Sequence, residues 1–495
     1  MVGLHREIER KYDVDPSFRL PALDGHGRLA EPVEHALEAT YFDTADHRLA
    51  AARTTLRRRT GGTDAGWHLK LPAGGARDEV HEPLDGDSDT AAVPAVLAAL
   101  ARGLTRGAEL RPVVRLLTER SVRKLVGTGA DGAEVTLAEV ADDRVTAQVV
   151  GPAVEITAWR EVEVELVAGP PEILDAVDRP LRKAGAVPSA SASKLARALG
   201  DRVARPRTPG RKAAAGEVVG AYVREQVAAL AAHDPRVRLD QHDAVHQMRV
   251  ATRRLRSVLA AYRPLFDRTV TEPLRDELKW LGAVLGEARD AEVLHARLRA
   301  AVDAEPDDLL LGPVVARIDT DLLGRYREAH ARILEALDGD RYLALLVALD
   351  GVVATGGRKT IPRGVRRTWR RVRAAASAAE AAPPERRDEA LHDVRKAAKR
   401  ARYAAEAARP ALGRPAKRYA SRMKDVQGLL GDQHDTVVAR EVLRAMGAQA
   451  FLAGENGFSY GRLHAGEERR GAELRELYPR AWARASARRV RRGIR

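Results

Sequence analysis

The sequence predicts a multi-domain protein of mixed α and β structure, in which a β-rich domain precedes an all-α domain. Three observations support this fold class. The chain of 495 residues is longer than a single hydrophobic core usually needs. Stretches of alternating residue character, which are typical of strands, are confined to about the first 200 residues. From Val218 onward the apolar residues recur at helical spacing, with interruptions at 302–308, 351–364 and 381–387.

The composition narrows the possible chemistry. The chain contains no cysteine, which excludes disulfides, thiolate zinc sites and cysteine nucleophiles. The N-terminus lacks the apolar segment of a signal peptide, and no run of 18 apolar residues predicts a membrane span. We therefore expect a cytoplasmic protein.

The two parts of the chain differ in charge. Residues 1–205 carry 28 Lys and Arg against 32 Asp and Glu, a net charge of −4. The remainder carries 56 against 38, a net charge of +18. A strongly basic second part indicates a polyanionic partner, and nucleic acid, an anionic membrane and polyphosphate all satisfy this condition.

Charged residues in the first domain are sorted by strand. The first and last predicted strands carry acids and one lysine on one side, namely Glu7, Glu9, Lys11, Glu161, Glu163 and Glu165. Strands between them carry cations on one side, namely Arg57, Arg59 and Lys70. A solvated sheet face is one interpretation. A closed antiparallel barrel with a polar interior is the other, because it would use carboxylates for a divalent metal and cations for an anionic ligand.

The segment Glu7-Ile8-Glu9-Arg10-Lys11 resembles the ExExK signature of CYTH domains, the triphosphate tunnel metalloenzymes. The resemblance continues through five further segments in the same order over nearly 200 residues. These are Tyr41-Phe42-Asp43-Thr44, Leu56-Arg57-Arg58-Arg59, Leu69-Lys70-Leu71-Pro72, Glu161-Val162-Glu163-Val164-Glu165 and Ser193-Lys194-Leu195.

This resemblance implies an antiparallel barrel whose tunnel binds a triphosphate with Mg²⁺ or Mn²⁺. It implies metal ligation by Glu7, Glu9, Asp142, Glu161, Glu163 and Glu165. It implies phosphate binding by Arg57, Arg59, Lys70, Arg115 and Lys194. Lys11 would lie near the bond that is cut and would be catalytic together with Glu7 and Glu9. These roles agree with the physics, because carboxylates approach a triphosphate only through a bridging hard cation.

One segment departs from the family pattern. Leu117 and Glu119 stand where further cations are expected, which leaves Arg115 and Arg123 on that side of the strand. A glutamate facing phosphate would be repulsive unless it bound metal or paired with an arginine. The departure keeps a second interpretation open, in which the barrel has lost turnover.

Two basic helices organise the second part of the chain. Val245–Leu259 predicts an amphipathic helix whose polar stripe contains His246, Arg249, Arg253 and Arg256. The same positions return 146 residues later as His392, Arg395, Lys399 and Arg402, and Arg400 repeats Arg254. With an offset of 145, Lys279, Gly286, Arg289 and Asp290 return as Lys424, Gly431, His434 and Asp435. The chain therefore contains an internal repeat.

The paired basic helices, each followed by LG-x-x-[RH]-D, resemble the CHAD family, the conserved-histidine α-helical domain, over about residues 214–490. This resemblance implies two pseudo-symmetric four-helix bundles and a basic surface that binds inorganic polyphosphate. The expected polyphosphate-binding residues are His246, Arg249, Arg253, Arg254, Arg256, Lys279, Arg289, His392, Arg395, Lys396, Lys399, Arg400, Arg402, Lys424 and His434. We expect a CYTH-like domain at 1–200, a basic linker at 201–214 and a CHAD-like domain at 215–490, with repeats at about 215–350 and 365–490.

Several alternatives remain for the basic helices. Their stripe is also compatible with a solvated surface, and Arg289–Asp290 and His434–Asp435 with structural ion pairs or caps. Nucleic acid would add aromatic stacking, but Tyr403 is the only aromatic residue in these helices, so polyphosphate is favoured. The expected function is metal-dependent hydrolysis of inorganic or related triphosphates by the barrel, with polyphosphate bound by the helices. The alternatives are a non-catalytic polyphosphate-granule protein and, for the barrel, adenylate cyclase chemistry.

Overall fold

The computed structural model describes residues 3–23, 25–84, 92–128, 132–151, 154–204 and 207–494. The chain divides into two compact units, Met1–Arg205 and Pro206–Arg495. Residues 205 and 206 of the predicted linker lie outside the described residues.

The first unit is built from antiparallel strands with four short helices. Its strands are β1 (Gly3–Glu7), β2 (Glu9–Val14), β3 (Arg28–Leu29), β4 (Val33–Asp43), β5 (Thr55–Thr60), β6 (Gly66–Ala73), β7 (Ala76–Pro83), β8 (Arg111–Thr128), β9 (Glu134–Val149), β10 (Glu155–Leu166) and β11 (Val187–Pro188). Its described helices are α1 (Arg48–Ala51), α2 (Ala95–Thr105), α3 (Glu172–Lys183) and α4 (Lys194–Leu199).

The strands form one sheet in the order β1-β7-β6-β5-β4-β8-β9-β10-β2-β11, and β3 pairs with β8. The predicted antiparallel fold is therefore confirmed. The predicted closed barrel is not, because within the described strands the pairing path is open, with β1 at one end and β11 at the other. The chain changes neighbour at Ile8: β1 pairs with β7, whereas β2 pairs with β10.

Alternation along β10 explains why a strand rich in glutamate is stable. Val162 and Val164 are buried in a core that contains Leu174, Val177 and Leu181 of α3. Because successive side chains of a strand point to opposite faces, the glutamates of the same strand lie on the other side. The helix α4 packs through Leu195 and Leu199 on a second core, which contains residues of β4, β8 and β9.

The second unit is helical, as predicted. Its helices are α5 (Ala215–Arg238), α6 (Ala244–Ala261), α7 (Arg268–Asp303), α8 (Val314–Asp338), α9 (Asp340–Asp350), α10 (Thr360–Ala381), α11 (Arg387–Ala407), α12 (Arg409–Leu412), α13 (Arg414–Leu452), α14 (Phe458–Ser486) and α15 (Arg488–Arg491). No helix among the described residues is both long and apolar enough to cross a membrane.

The cores of the helical unit do not separate at the boundary between the two sequence repeats. One core joins Met248 and Leu255 of α6 to Val394 of α11 and Met423 of α13. A second core joins α7 and α8 to α13 and α14. Residues from both repeats are thus buried together, which places α6 and α11 next to each other.

Candidate functional site

The sheet of the first unit lines a polar cavity of about 640 Å³. Most of the predicted site residues line it, namely Glu7, Glu9, Lys11, Arg57, Arg59, Lys70, Glu163, Glu165 and Lys194. Glu161 is buried and contacts Lys194 and Trp159. Arg115 and Asp142 are not among the residues that line the cavity.

Lys11 is held between carboxylates of β2 and β10. Its Nζ lies 2.8 Å from Glu9 Oε2 and also contacts the Glu163 carboxylate, which is opposite Lys11 in the β2–β10 register. Burial opposes ionisation of Glu163, but Lys11, Lys194 and Arg120 outweigh it and hold the pKa of Glu163 well below its usual range. Glu163 is therefore an ionised carboxylate inside the sheet.

Asp143, Glu161 and Glu163 form a compact acidic group. One oxygen from each of the three carboxylates lies within 4.8 Å of the others. Lys194 Nζ lies 2.9 Å from Asp143 Oδ2, 2.7 Å from Glu161 Oε1 and 2.6 Å from Glu163 Oε1. The Arg120 guanidinium donates to both oxygens of Asp143, at 2.7 and 2.6 Å.

The aspartate of this group is Asp143 and not its predicted neighbour Asp142. Asp142 lies on the opposite face of β9, where both of its oxygens accept from Arg160 at 2.8 and 2.7 Å. Asp143 and Arg120 were not identified from sequence. The two adjacent aspartates point to opposite faces of β9, and only the pairing of Asp143 with Glu161 and Arg120 shows which one joins the acidic group.

The opposite wall of the cavity is basic. Arg57 Nη1 donates to the Tyr41 hydroxyl at 3.4 Å. Arg59 is 5% exposed and pairs with the Asp64 carboxylate. Burial, followed by the charges of Arg57 and Arg120, lowers the pKa of Arg59 to about 9. These cations therefore repel one another, and an anion between them would relieve the repulsion.

Lys70 joins the two walls. Its ammonium contacts the Glu7 carboxylate and lies 3.4 Å from Glu79 Oε2. Glu79, which was also missed in the sequence, accepts from His68 Nδ1 at 2.5 Å. Burial, with the charges of Arg57 and Arg59, lowers the pKa of His68 to about 4, so its imidazole is neutral at physiological pH.

The departure from the family pattern in β8 does not reach the cavity. Arg120, Val122 and Lys124 of β8 line it, whereas Leu117 and Glu119 lie on the other face. Arg115 shares that other face and its Nε lies 2.8 Å from Glu38 Oε1. The expectation of a glutamate facing phosphate was wrong by one position of the strand alternation.

The carboxylates fit a hard divalent cation. Glu7 Oε2 is buried and has no hydrogen-bond partner among the described residues. Burial, and then the charges of Glu7 and Glu9, raise the pKa of Glu165 to about 7. A cation with oxygen ligands, such as Mg²⁺ or Mn²⁺, would satisfy the unpartnered oxygen and reduce this repulsion.

In the helical unit, four cations of α6 and α11 form what we call the central cluster: Arg249, Arg253, Arg395 and Lys399. Burial, followed by the charges of Arg395, Arg253 and Arg249, lowers the pKa of Lys399 to about 7. Arg253 Nε donates to the Tyr403 hydroxyl at 3.1 Å. The central cluster is therefore an unusual concentration of positive charge on two packed helices.

Two glycines at equivalent positions of the repeat, Gly286 and Gly431, leave room for the arginines of the central cluster. A Cβ on Gly286 would lie 3.4 Å from Arg249 Nη2, and a Cβ on Gly431 would lie 3.5 Å from Arg395 Nε. Each arginine therefore lies across the neighbouring helix at its glycine. Arg249 also donates to Asp290 at 3.1 Å.

Histidines lie beside the central cluster. The rings of His392 and His434 have centroids 4.2 Å apart. Burial, with His434 and nearby cations, lowers the pKa of His392 to about 4. Burial also lowers the pKa values of His246 and His434. All three imidazoles are consequently neutral near pH 7.

The remaining predicted residues of this surface have varied environments. Arg289 donates to Glu292 at 2.8 Å, and Lys396 Nζ lies 2.6 Å from Asp393 Oδ1. Lys279 and Lys424 are exposed on α7 and α13. The arginine pairs Arg254–Arg402 and Arg256–Arg400 flank the central cluster along α6 and α11 and are considered below.

Comparison with known proteins matches a different domain to each of the two compact units. A CYTH domain matches residues 5–199 and a CHAD domain matches residues 221–444. The chain therefore belongs to the family of proteins in which a CYTH domain precedes a CHAD domain.

Its relatives include "Uncharacterized protein MT2285" and "Uncharacterized protein Rv2226" from two strains of Mycobacterium tuberculosis. Each is 41% identical to this chain over 488 residues, which cover 93% of this chain and 92% of the relative. Similar solved structures include PptA from Streptomyces chartreusis, with 20% identity and a TM-score of 0.46, covering 55% of this chain and 99% of that one. The CHAD domain from the plant Ricinus communis has 24% identity and a TM-score of 0.44, covering 57% of this chain and 96% of that one.

Proposed function

We propose that the first unit hydrolyses inorganic triphosphate or related triphosphates with Mg²⁺ or Mn²⁺, and that the helical unit binds inorganic polyphosphate. One observation carries the first part. A wall of cations on β5, β6 and β8 faces a wall of carboxylates on β2, β9 and β10 across a single cavity. A triphosphate needs both walls, because its charge requires cations and its approach to carboxylates requires a bridging metal.

The residues of the site have two roles, phosphate binding and metal binding. Arg57, Arg59, Lys70, Arg120 and Lys124 bind and orient the phosphate oxygens from the basic wall. The metal, held by carboxylates of Glu7, Glu9, Asp143, Glu161, Glu163 and Glu165, would polarise the terminal phosphoryl group and compensate its charge.

Lys11 is placed to act at the bond that is cut. Two carboxylates fix its ammonium, so that it can donate a hydrogen bond to an oxygen of the reacting phosphoryl group without a large reorganisation. Water attacks the terminal phosphorus, the bridging P–O bond breaks, and orthophosphate and pyrophosphate leave. The reaction requires no enzyme nucleophile.

The test is phosphate release by the full-length protein across tripolyphosphate, nucleoside triphosphates and pyrophosphate, each with Mg²⁺ and with Mn²⁺. Arg57→Ala should lower kcat/KM about 100-fold, which corresponds to about 2.7 kcal/mol of transition-state stabilisation. Arg115→Ala is the matched control, because Arg115 pairs with Glu38 away from the cavity. It should remain within about threefold of wild type, the range expected of an exposed ion pair.

The alternative is a non-catalytic polyphosphate-binding or granule-targeting protein. Absence of phosphate release from every triphosphate, with either metal, would establish it and remove the hydrolytic proposal. Equal losses in Arg57→Ala and Arg115→Ala would contradict the assignment of the cavity as the site. Formation of cyclic AMP from ATP would indicate cyclase chemistry instead.

The polyphosphate part of the proposal is supported by the central cluster. Its cations lie close to one another, and its tyrosine neighbour, Tyr403, is buried and so cannot stack on a base. A chain of phosphates without bases fits such a surface. Binding should weaken steeply as salt is raised, and a flat salt response would contradict it.

The proposal also includes the domain organisation. We assign the hydrolytic domain to 1–200, the linker to 201–214 and the polyphosphate-binding domain, with its two four-helix repeats, to 215–490. Association with cytoplasmic polyphosphate granules follows from such binding. Loss of granule association on deletion of residues 215–495 would support this placement.

A further inference from the structure

The repeat places two equivalent pairs of arginines on α6 and α11. The 146-residue offset that relates His246 to His392 also relates Arg254 to Arg400 and Arg256 to Arg402. The pair Arg254–Arg402 and the pair Arg256–Arg400 are therefore pseudo-symmetric counterparts. If the symmetry extended to their surroundings, both pairs would have the same charge.

Both arginines of the first pair share one acid. Arg402 Nε donates to Glu406 Oε1 at 2.7 Å, and Arg254 Nε lies 3.5 Å from Glu406 Oε2. The outer nitrogens face amides, with Arg402 Nη1 at 3.3 Å from Gln427 Oε1 and Arg254 Nη1 at 3.4 Å from Gln226 Oε1. Glu406 therefore halves the positive charge of this pair, and the amides accept hydrogen bonds that an anion would otherwise accept.

The second pair lacks these partners. Ala260 occupies the position equivalent to Glu406, so the repeat has lost an acid on this side. A further cation, Arg371 of α10, acts on Arg400 of this pair. Within the described part of the chain, Arg256, Arg371 and Arg400 take part in no ion pair.

The cations on this side belong to neighbouring helices: Arg256, Arg275, Arg371 and Arg400 lie on α6, α7, α10 and α11, and α6 packs against each of the other three. In agreement with this packing, burial, and then the charges of Arg400, Arg275 and Arg253, lower the pKa of Arg256. Burial, and then the charges of Arg371 and Arg275, lower the pKa of Arg400, against the opposing charge of Asp393. Arg275 pairs with Glu272. We call Arg256, Arg275, Arg371 and Arg400 the open arginine group.

The open arginine group has the chemistry of an anion-binding site. Arg256 and Arg275 are half-buried, whereas Arg371 and Arg400 are exposed. Guanidinium groups that repel one another favour an anion that accepts their hydrogen bonds. Guanidinium groups match phosphate oxygens in geometry. Arg253 connects the open arginine group to the central cluster, since its charge acts on both Arg256 and Lys399. His246 and Arg256 are ten residues apart on α6, which corresponds to about 15 Å of helix.

We propose that a bound polyphosphate chain crosses the central cluster and leaves it on one side only, over the open arginine group, while Glu406 closes the opposite side. This inference rests on the proposed polyphosphate binding and adds to it a direction and a second subsite. The ligand is then a chain of several phosphates, since the path from Arg249 to Arg256 spans seven residues of α6, or about 10 Å.

The test uses the full-length protein and long-chain sodium polyphosphate, with affinity measured over a salt series. Ala260→Glu restores the missing acid and should weaken binding about tenfold, as expected when an acid neutralises two phosphate contacts. Arg371→Gln removes one cation of the open arginine group at an exposed position. It should weaken binding about threefold and reduce the slope of log K against log salt by about 0.7.

Two variants serve as controls. Arg370→Gln makes the same charge change on the next exposed residue of α10 and should stay within about twofold of wild type. Glu406→Gln removes the acid of the closed side and should bind at least as tightly as wild type. Thermal melting of each variant shows whether it is folded.

The outcomes separate this inference from the function on which it rests. Wild-type binding that is steep in salt, with Ala260→Glu and Arg371→Gln unaffected, would overturn the directional path and leave polyphosphate binding intact. Equal weakening by Arg371→Gln and Arg370→Gln would overturn it as well, because the effect would then be one of general charge. No salt-dependent binding by the wild type would remove the proposed polyphosphate function, and the path with it.

Discussion

The lowered pKa of Lys399 predicts that polyphosphate binding takes up a proton. Burial and the neighbouring Arg395, Arg253 and Arg249 hold the pKa of Lys399 at about 7, against 10.5 for an ordinary lysine. At pH 8 most of the free protein then has a neutral amine at this position. A phosphate chain on the central cluster favours the ammonium, so binding at pH 8 should take up close to one proton.

The size of the effect follows from the two pKa values. If the bound state restores the pKa of Lys399 to that of an ordinary lysine, affinity should fall about tenfold between pH 6 and pH 8, or about 1.4 kcal/mol. The neighbouring histidine His392 has a pKa of about 4 and is neutral in the free protein across this range. Long chains are the right probe, because their few terminal phosphates titrate with little effect on the total charge.

Calorimetry in buffers of different ionisation enthalpy measures the proton uptake directly. Lys399→Met should abolish the uptake at pH 8 and flatten the affinity between pH 6 and pH 8. Lys396→Met is the matched control, because Lys396 is on the same helix, is exposed and pairs with Asp393. An affinity that is steep in salt but independent of pH in the wild type would refute the reasoning, as would an unchanged pH response in Lys399→Met.

Two further predictions concern positions selected from their side-chain surroundings, Gly431 in the helical unit and Asp143 in the sheet. Gly431→Val should displace Arg395 from its place across α13 and weaken polyphosphate binding about tenfold, the loss of one to two phosphate contacts, in the same salt titration. Gly428→Val, where a Cβ meets nothing within 4 Å, should bind like wild type, and equal losses in both would contradict the role of the glycine. Asp143→Asn should raise the Mn²⁺ concentration for half-maximal triphosphate hydrolysis about tenfold or more, as for loss of a ligand or its support. Asp142→Asn should leave it within about twofold, and the reverse order would show that the metal lies on the other face of β9.

Most of the fold and many of the candidate site residues can be predicted from the sequence, because both follow periodic patterns of residue types. The alternation of Glu161, Glu163 and Glu165 with valines identifies a strand with one charged face and one buried face. The helical repeat is visible because His246 and Arg249 return as His392 and Arg395 at a constant offset. Patterns of this kind need no knowledge of which strands pair.

The errors occurred where pairing and register decide the outcome. Asp142 and Asp143 are equivalent in the sequence, and only the pairing of β9 with β8 and β10 places Asp143 beside Glu161 and Arg120. The same one-residue ambiguity put Arg115 and Glu119 on the wrong face of β8. Closure of the barrel is likewise a property of strand neighbours, and the pairing path of the described strands is open.

The position of Lys194 has a consequence for the order in which the chain is made. This lysine contacts Asp143, Glu161 and Glu163, yet it follows Glu163 by 31 residues and belongs to the last described α-helix of its unit. During synthesis at about 5–20 residues per second, the three carboxylates are therefore made about 2–6 s before the ammonium that contacts all of them. Lys11 and Arg120, which pair with Glu163, are made before it. Lys194 is thus the last cation to join this acidic group.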